Sequence, residues 1–172
     1  CYFCKGVKKM TIVYFFCVVV VGFHLCRQVI AKALLPEPDP IKFASDVFSV
    51  GETLFAIRHG GATASKTIVC FPGFTETISY FVDLYKDEDC QLILVNNCLY
   101  HLPLAESTPR KLNWERNPYE QATIEHDAFY FSKIVREFAS GQDIFLHGHS
   151  RGAAVVLEAG RQSPEITRGS GK

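Results

Sequence analysis

A serine stands at the centre of a short glycine-flanked segment, Gly148-His149-Ser150-Arg151-Gly152. A serine hydroxyl acts as a nucleophile towards a carbonyl carbon when a turn projects it outwards and a base takes its proton. Glycines two positions to either side remove the Cβ atoms that would clash where a strand turns sharply into a helix. The spacing therefore predicts a catalytic nucleophile at Ser150, on a turn that Gly148 and Gly152 permit.

The residues around this segment have the composition that such a turn needs. The apolar run 143–146 before it predicts a buried strand, and the run 153–157 after it predicts a buried helix. Free N–H groups and the dipole at a helix start favour developing negative charge. The backbone amide of Arg151 is therefore predicted to bind an oxyanion, and its side chain is given no role.

The strands that would position this turn follow from two kinds of apolar pattern. Alternation in 47–50 and 54–57 predicts a hairpin. Continuous apolar runs predict strands covered on both faces of a parallel sheet, at 67–71, 91–95 and 143–146. The globular part of the chain is therefore predicted to be an α/β domain.

Two helices are predicted between these strands. The first covers 76–86 and follows Thr75 as its N-cap. The second has Asn117 as its N-cap and Pro118 at its first helical position, and Gly141 ends it. Both carry apolar residues at helical spacing, so each is expected to pack one face on the sheet.

Two further features of this region are a His-Asp pair within the second helix and a long connection before it. His126 and Asp127 are neighbours within the second helix, where adjacent side chains point about 100° apart, so they are expected on its solvated face. The segment 96–117 is longer than most connections in a compact domain. It is expected to be a lid or substrate-contacting loop, or an insertion.

The N-terminal part of the chain has a different character. An uncharged apolar run lies within 11–30 and follows a cluster of lysines, which favours a single-pass membrane anchor. The alternative is an export signal that is cleaved near Ala31-Lys32-Ala33. A proline-rich linker at 36–40 follows, and the globular domain is expected over 41–172.

Composition excludes several other functions. The chain has 172 residues and equal numbers of basic and acidic side chains, but every charge before Glu37 is positive. The remainder is mildly acidic and has no basic run with interleaved aromatic residues, so nucleic acid is not expected as a partner. The seven cysteines are scattered, which predicts buried free thiols, with no metal site and no cofactor.

Over residues 46–164 the chain resembles the α/β-hydrolase superfamily. The resemblance rests on the segment around Ser150 and on Phe71-Pro72-Gly73-Phe74, which follows an earlier strand. It implies a partial α/β-hydrolase fold, a mostly parallel sheet with flanking helices, preceded here by the N-terminal hydrophobic helix. It also implies that the amide of Phe74 is the second oxyanion donor, although Pro72 replaces the histidine that is common in this loop.

The resemblance further implies a serine hydrolase that acts on ester, thioester or amide bonds of a small-molecule or lipid-like acyl substrate. Its catalytic order is serine, then an acid, then a histidine, and residues 151–172 contain no histidine. We therefore expect a fragment that is inactive alone, with the acid and histidine encoded downstream and His101 as the one substitute base. The alternatives are an acyltransferase on the same fold and a non-catalytic, membrane-tethered binding module.

Overall fold

The computed structural model describes residues 14, 17–26, 43, 45–100, 102, 108–141 and 143–167. The chain divides into two units, Cys1–Asp39 and Pro40–Lys172. In the first unit, residue 14 and residues 17–26 are helical and exposed. No helix among the described residues is long and apolar enough to cross a membrane. The predicted anchor extends beyond these residues on both sides and stays a prediction, and the linker 36–40 lies outside them.

A six-stranded mixed sheet forms the centre of the second unit, in the order β5-β1-β2-β4-β3-β6. Its strands are β1 Asp46–Val50, β2 Thr53–Arg58, β3 Lys66–Phe71, β4 Gln91–Val95, β5 Arg110–Lys111 and β6 Asp143–Gly148. β1 and β2 form the predicted hairpin, and β3 pairs in parallel with both β4 and β6, as predicted. β5 was not predicted. It consists of two residues of the segment 96–117 and pairs in parallel with β1 at one edge.

Helices cover both faces of this sheet. They are α1 Ser79–Leu84, α2 Ile124–Phe138 and α3 Arg151–Gln162, and a 3₁₀ turn follows at Pro164–Ile166. Side chains alternate between the two faces of a strand, so Val69 and Phe71 of β3 pack with α2 and α3, whereas Ile68 and Cys70 pack with α1. The predicted α/β class with flanking helices is confirmed.

The first predicted helix was too long at both ends. It begins at Ser79 and ends at Leu84, not at residues 76 and 86. Thr75 does not cap it, because the N-cap position is Ile78; Thr75 itself has a positive φ of 65°. The Glu76 side chain turns back to the loop after β3, where it accepts a hydrogen bond from the Gly73 amide. The contact between Glu76 and Gly73 therefore replaces the first helical turn that the sequence pattern predicted.

The second predicted helix begins six residues later than expected, at Ile124 rather than Pro118. Its N-cap is Thr123, whose side-chain oxygen accepts the His126 amide at 3.2 Å. Asn117 is buried and its side-chain nitrogen donates to the His126 carbonyl at 2.9 Å, so it holds the helix from outside rather than capping it. The helix ends at Phe138, three residues before Gly141.

The cysteines of the described part of the sheet region are free thiols, as predicted. Cys70, Cys90 and Cys98 are all buried and unpaired. Burial raises the pKa of the Cys70 thiol far above its ordinary value. Because the thiolate is the reactive form, this cysteine is expected to be inert. Cys1 and Cys4 lie outside the described residues.

Candidate active site

Ser150 is the second of the two residues that connect β6 to α3. β6 ends at Gly148 and α3 begins at Arg151, and the Ser150 backbone has φ 51° and ψ −118°. A positive φ is strained for a residue with a Cβ atom and costs about 1–3 kcal/mol where the surrounding structure enforces it. The serine is exposed. The predicted strained strand-to-helix turn is therefore confirmed, while the catalytic role of Ser150 stays a prediction.

The two flanking glycines are required by close backbone contacts. A Cβ atom at Gly148 would overlap the carbonyl of Gly152, and one at Gly152 would overlap the carbonyl of Phe71. The amide of His149 also donates to the Phe71 carbonyl, at 3.2 Å. The start of α3 therefore lies directly against the end of β3, with no room for a side chain between them.

Three loops meet at this edge of the sheet. Because β3, β4 and β6 are parallel, their carboxyl ends lie on the same side. The loops that follow them begin at Pro72, Asn96 and His149. A Cβ atom at Gly73 would lie 3.1 Å from the Cβ atom of Ser150, so the loop after β3 contacts the serine directly.

Two backbone amides near Ser150 are free to bind a ligand. The amides of Arg151 and Phe74 donate to no protein acceptor within the part of the chain that the structure describes. The neighbouring amide of Gly73 is not free, because it already donates to Glu76 at 2.7 Å. These are the amides predicted to form the oxyanion hole, and the arrangement is compatible with that role.

A carboxylate and an imidazole hold the loop after β3 to the serine turn. Oε2 of Glu76 lies 2.8 Å from Nδ1 of His149 and also accepts the Gly73 amide. The hydrogen bond with His149, and then that with Gly73, hold the pKa of the Glu76 carboxyl below its ordinary value of 4.5. The sequence pattern indicated no role for Glu76 beyond its place in the first predicted helix.

The lowered pKa gives this contact a defined pH dependence. A carboxyl whose folded pKa is depressed contributes stability that is complete above its ordinary pKa of 4.5 and is lost as the pH falls through the lower folded value. We expect the Gly73 amide resonance in ¹H–¹⁵N spectra to titrate below pH 4.5. Glu76→Gln should abolish this titration, and a Gly73 resonance that titrates above that pH would contradict the assignment.

The Arg151 side chain, to which the sequence gave no role, lies at the centre of a polar network. One of its terminal nitrogens, Nη1, donates to Oδ1 of Asn97 at 2.6 Å and to Oδ2 of Asp127 at 2.7 Å. Its other terminal nitrogen donates to the Ala122 carbonyl at 3.1 Å. The guanidinium group therefore ties the start of α3 to α2 and to the loop after β4.

The expectation that His126 and Asp127 lie on the solvated face of α2 was wrong. They are 3% and 1% exposed, respectively. Asp127 lies three residues after Ile124, on the face that packs against the sheet and α3, and a carboxylate is retained there because Arg151 and the Cys98 amide bond it. A buried charge is otherwise too costly.

Cys98, His126 and Asp127 also form the one group of described residues that could contact a metal ion. Their donor atoms lie within 4.8 Å of one another and all three are buried. Both oxygens of Asp127 already accept hydrogen bonds, one of them from a cationic guanidinium group. Burial raises the pKa of the Cys98 thiol, whereas zinc binds the thiolate. We assign no metal to this group.

Within the residues that the structure describes in the second unit, no histidine is hydrogen-bonded to the Ser150 hydroxyl. His147 binds Tyr85 and His149 binds Glu76, while His126 and His59 lie against Asp127 and Asp46. Burial, and then the charge of His149, lower the pKa of His147. His101 lies outside the described residues, so its role as a substitute base stays a prediction. The acid and histidine expected downstream also stay a prediction.

Comparisons with known proteins add little to this geometry. No family model matches the chain, and no curated protein sequence matches it. One similar solved structure is that of a predicted CIB-like hydrolase from Thermoplasma acidophilum, at 15% sequence identity and a TM-score of 0.47. The match covers 71% of this chain and 57% of that one, so the chain spans little more than half the length of this neighbour.

Proposed function

We propose that the chain carries the nucleophile and oxyanion hole of a serine hydrolase that cleaves ester, thioester or amide bonds. The observation that carries the proposal is the strained backbone of Ser150, with φ 51°, at the start of α3. Strain of this kind persists where the surrounding structure enforces it, and it is concentrated at active sites. Here it exposes a serine hydroxyl beside two free amides, which is the arrangement that acyl transfer needs.

The reaction follows from this arrangement. The Ser150 oxygen attacks the acyl carbon, its proton passes to a base, and the carbonyl oxygen becomes an oxyanion facing the amides of Arg151 and Phe74. Collapse of the tetrahedral intermediate breaks the bond to the leaving group, which takes up the proton, and leaves an acyl-enzyme. Water then releases the acid. Transfer of the same acyl group to another acceptor would use the same residues.

The surface near Ser150 favours an apolar acyl group. Phe74 is 68% exposed and Tyr80 is 50% exposed, and the Tyr80 ring lies 5.7 Å from the ring of His149. Exposed aromatic side chains beside a polar reaction centre bind the apolar part of a ligand while backbone groups orient its polar part. We therefore propose a small-molecule or lipid-like acyl substrate. Membrane attachment through residues 11–30 is a separate proposal.

Labelling with an alkyl fluorophosphonate tests the proposed nucleophile. The Ser150 oxygen forms a bond to phosphorus, fluoride leaves, and the hydroxyl proton goes to solvent. Removing a triad member leaves about 10³ to 10⁴-fold catalysis over water, from binding and the oxyanion hole. Stoichiometric labelling is thus measurable even where turnover of esters is close to background.

We expect intact-mass spectrometry to show one phosphonyl group per chain in the wild type and none in Ser150→Ala. Ser65→Ala is the matched control, since it removes the hydroxyl of another exposed serine, just before β3, and it should be labelled at the wild-type rate. Equal labelling of Ser150→Ala and the wild type would refute the assignment. A folded wild-type chain that is not labelled would favour the non-catalytic binding module.

A further inference from the structure

Both backbone groups of Gly73, which belong to the two peptides on either side of its Cα atom, are hydrogen-bonded. The Gly73 carbonyl accepts a hydrogen bond from Nδ2 of Asn97 at 3.0 Å, and the Gly73 amide donates to Glu76 at 2.7 Å. The C=O and N–H groups of a trans peptide point in opposite directions. The bond from Asn97 therefore sets the direction of the Phe74 N–H, which is one of the two amides of the proposed oxyanion hole.

The orientation of the Asn97 side chain is set in turn by Arg151. Oδ1 of Asn97 accepts Nη1 of Arg151 at 2.6 Å. A guanidinium group donates but cannot accept hydrogen bonds, so only the amide oxygen of Asn97 can face it. The amide nitrogen must then face the Gly73 carbonyl. Asn97 is 3% exposed, so water does not compete for either bond.

Asp127 holds the guanidinium group of Arg151 in this position. Its Oδ2 accepts the same nitrogen, Nη1, at 2.7 Å, and its side chain is 1% exposed. Hydrogen bonds between ionised groups are stronger than neutral ones. A continuous series of hydrogen bonds therefore connects four parts of the fold. Asp127 of α2 bonds Arg151 of α3, Arg151 bonds Asn97 in the loop after β4, and Asn97 bonds Gly73 in the loop after β3.

We propose that Asp127, Arg151 and Asn97 form a positioning relay that aims the Phe74 amide at the oxyanion. Their proposed role is to position backbone groups rather than to bind the substrate. They connect the two amides of the oxyanion hole, since Arg151 supplies one amide from its own backbone and orients the other through Asn97. The inference rests on the proposed function, because an oxyanion hole matters only if Ser150 is acylated.

Asn97→Asp tests the relay with one atom changed. The aspartate keeps an acceptor for Arg151 but has no donor for the Gly73 carbonyl. We expect the labelling rate constant at saturating fluorophosphonate to fall about 10²-fold, the cost of losing one oxyanion donor, while the half-saturating concentration changes by less than about threefold. The Phe74 amide resonance should also shift in ¹H–¹⁵N spectra.

Asn117→Asp is the matched control. Asn117 is also buried and also donates Nδ2 to a backbone carbonyl, that of His126 at 2.9 Å, but it does not contact the relay. It should leave both the rate constant and the Phe74 resonance unchanged. If Asn97→Asp does not fold, Arg151→Lys tests the same relay, because it retains the charge but cannot bridge Asn97 and Asp127 as a planar guanidinium group does.

The outcomes separate the two proposals. Labelling of the wild type with a selective loss of rate in Asn97→Asp supports the relay. Labelling of the wild type with an unchanged rate in Asn97→Asp, or with the same loss in Asn117→Asp, overturns the relay and leaves the proposed function standing. A wild type that is not labelled at Ser150 overturns both.

Discussion

Gly152→Ala is expected to lower the free energy of unfolding by about 3 kcal/mol, at the upper end of the usual cost of overpacking. A Cβ atom there would overlap the Phe71 carbonyl and lie 2.8 Å from the Pro72 carbonyl oxygen. Both neighbours are backbone atoms at the end of a buried strand, so neither can turn aside as a side chain would. Relief requires α3 to move away from β3, which would displace Ser150 and the Arg151 amide together.

Gly160→Ala in the same helix is the control. Its Cβ atom would lie 2.8 Å from the methyl group of Thr167, an exposed side chain that can rotate. Replacing glycine by alanine within a helix gains up to about 1 kcal/mol, so this variant should be as stable as the wild type or more so. Urea denaturation of both variants measures the difference. Equal stability of the two variants would show that the close contact at Gly152 is not enforced.

Asp127→Asn is expected to cost about 3 kcal/mol of unfolding free energy, although the side chain keeps its shape. The substitution leaves the Arg151 guanidinium group without its counter-charge, while its side chain is only 17% exposed. Removing one member of a buried ion pair costs about 3–5 kcal/mol because the other charge stays buried and uncompensated. The loss should be visible as a lower urea midpoint with an unchanged slope.

Glu165→Gln is the control for this second prediction. Glu165 pairs with Arg136 of α2 at 3.2 Å, and the two side chains are 55% and 44% exposed, respectively. Exposed pairs contribute little to stability because water and salt screen them, so this variant should unfold close to the wild type. If Asp127→Asn were equally neutral, the Arg151 charge would be solvated in the folded chain, and the proposed relay would lose its anchor.

The sheet and the serine turn could be predicted from the sequence because both depend on local patterns. Strands covered on two faces are continuously apolar, which identified β3 and β4 to within one residue at either end. β6 was placed to within two residues, but the prediction that it is buried was wrong, because it lies at one edge of the described sheet and its Phe145 is 52% exposed. The turn at Ser150 is enforced by contacts that glycines alone permit, and those glycines stand at fixed positions from the serine. In both cases the physical constraint determines the residue types within a short segment, so that segment alone is enough to predict the structure.

The polar network could not be predicted because its members are far apart in the chain. Arg151 bonds Asn97 and Asp127 across 54 and 24 residues. Two signals were nevertheless present. Asp127 lies three residues after Ile124, within the apolar stripe of α2, and Asn97 follows a buried strand at the edge where Ser150 was expected. A carboxylate in a buried stripe needs a cation as partner, which could have directed attention to the Arg151 side chain.

The helix starts were missed for a related reason. Thr75 and Asn117 each have the type and position of an N-cap, but tertiary contacts determine what they and their neighbours do. Asn117 bonds the His126 carbonyl, and Glu76 bonds the Gly73 amide. Capping preferences are worth about 1 kcal/mol, which is no more than a single well-placed hydrogen bond elsewhere.

The central claim is that Ser150 is a nucleophile whose reaction is assisted by two backbone amides. A crystal structure of the fluorophosphonate-treated chain tests it most directly, because the phosphonyl oxygen occupies the place of the oxyanion. We predict phosphorus bonded to the Ser150 oxygen, with one phosphonyl oxygen about 2.7–3.1 Å from the amides of both Arg151 and Phe74. An adduct on another residue, or a phosphonyl oxygen that contacts neither amide, would contradict the account.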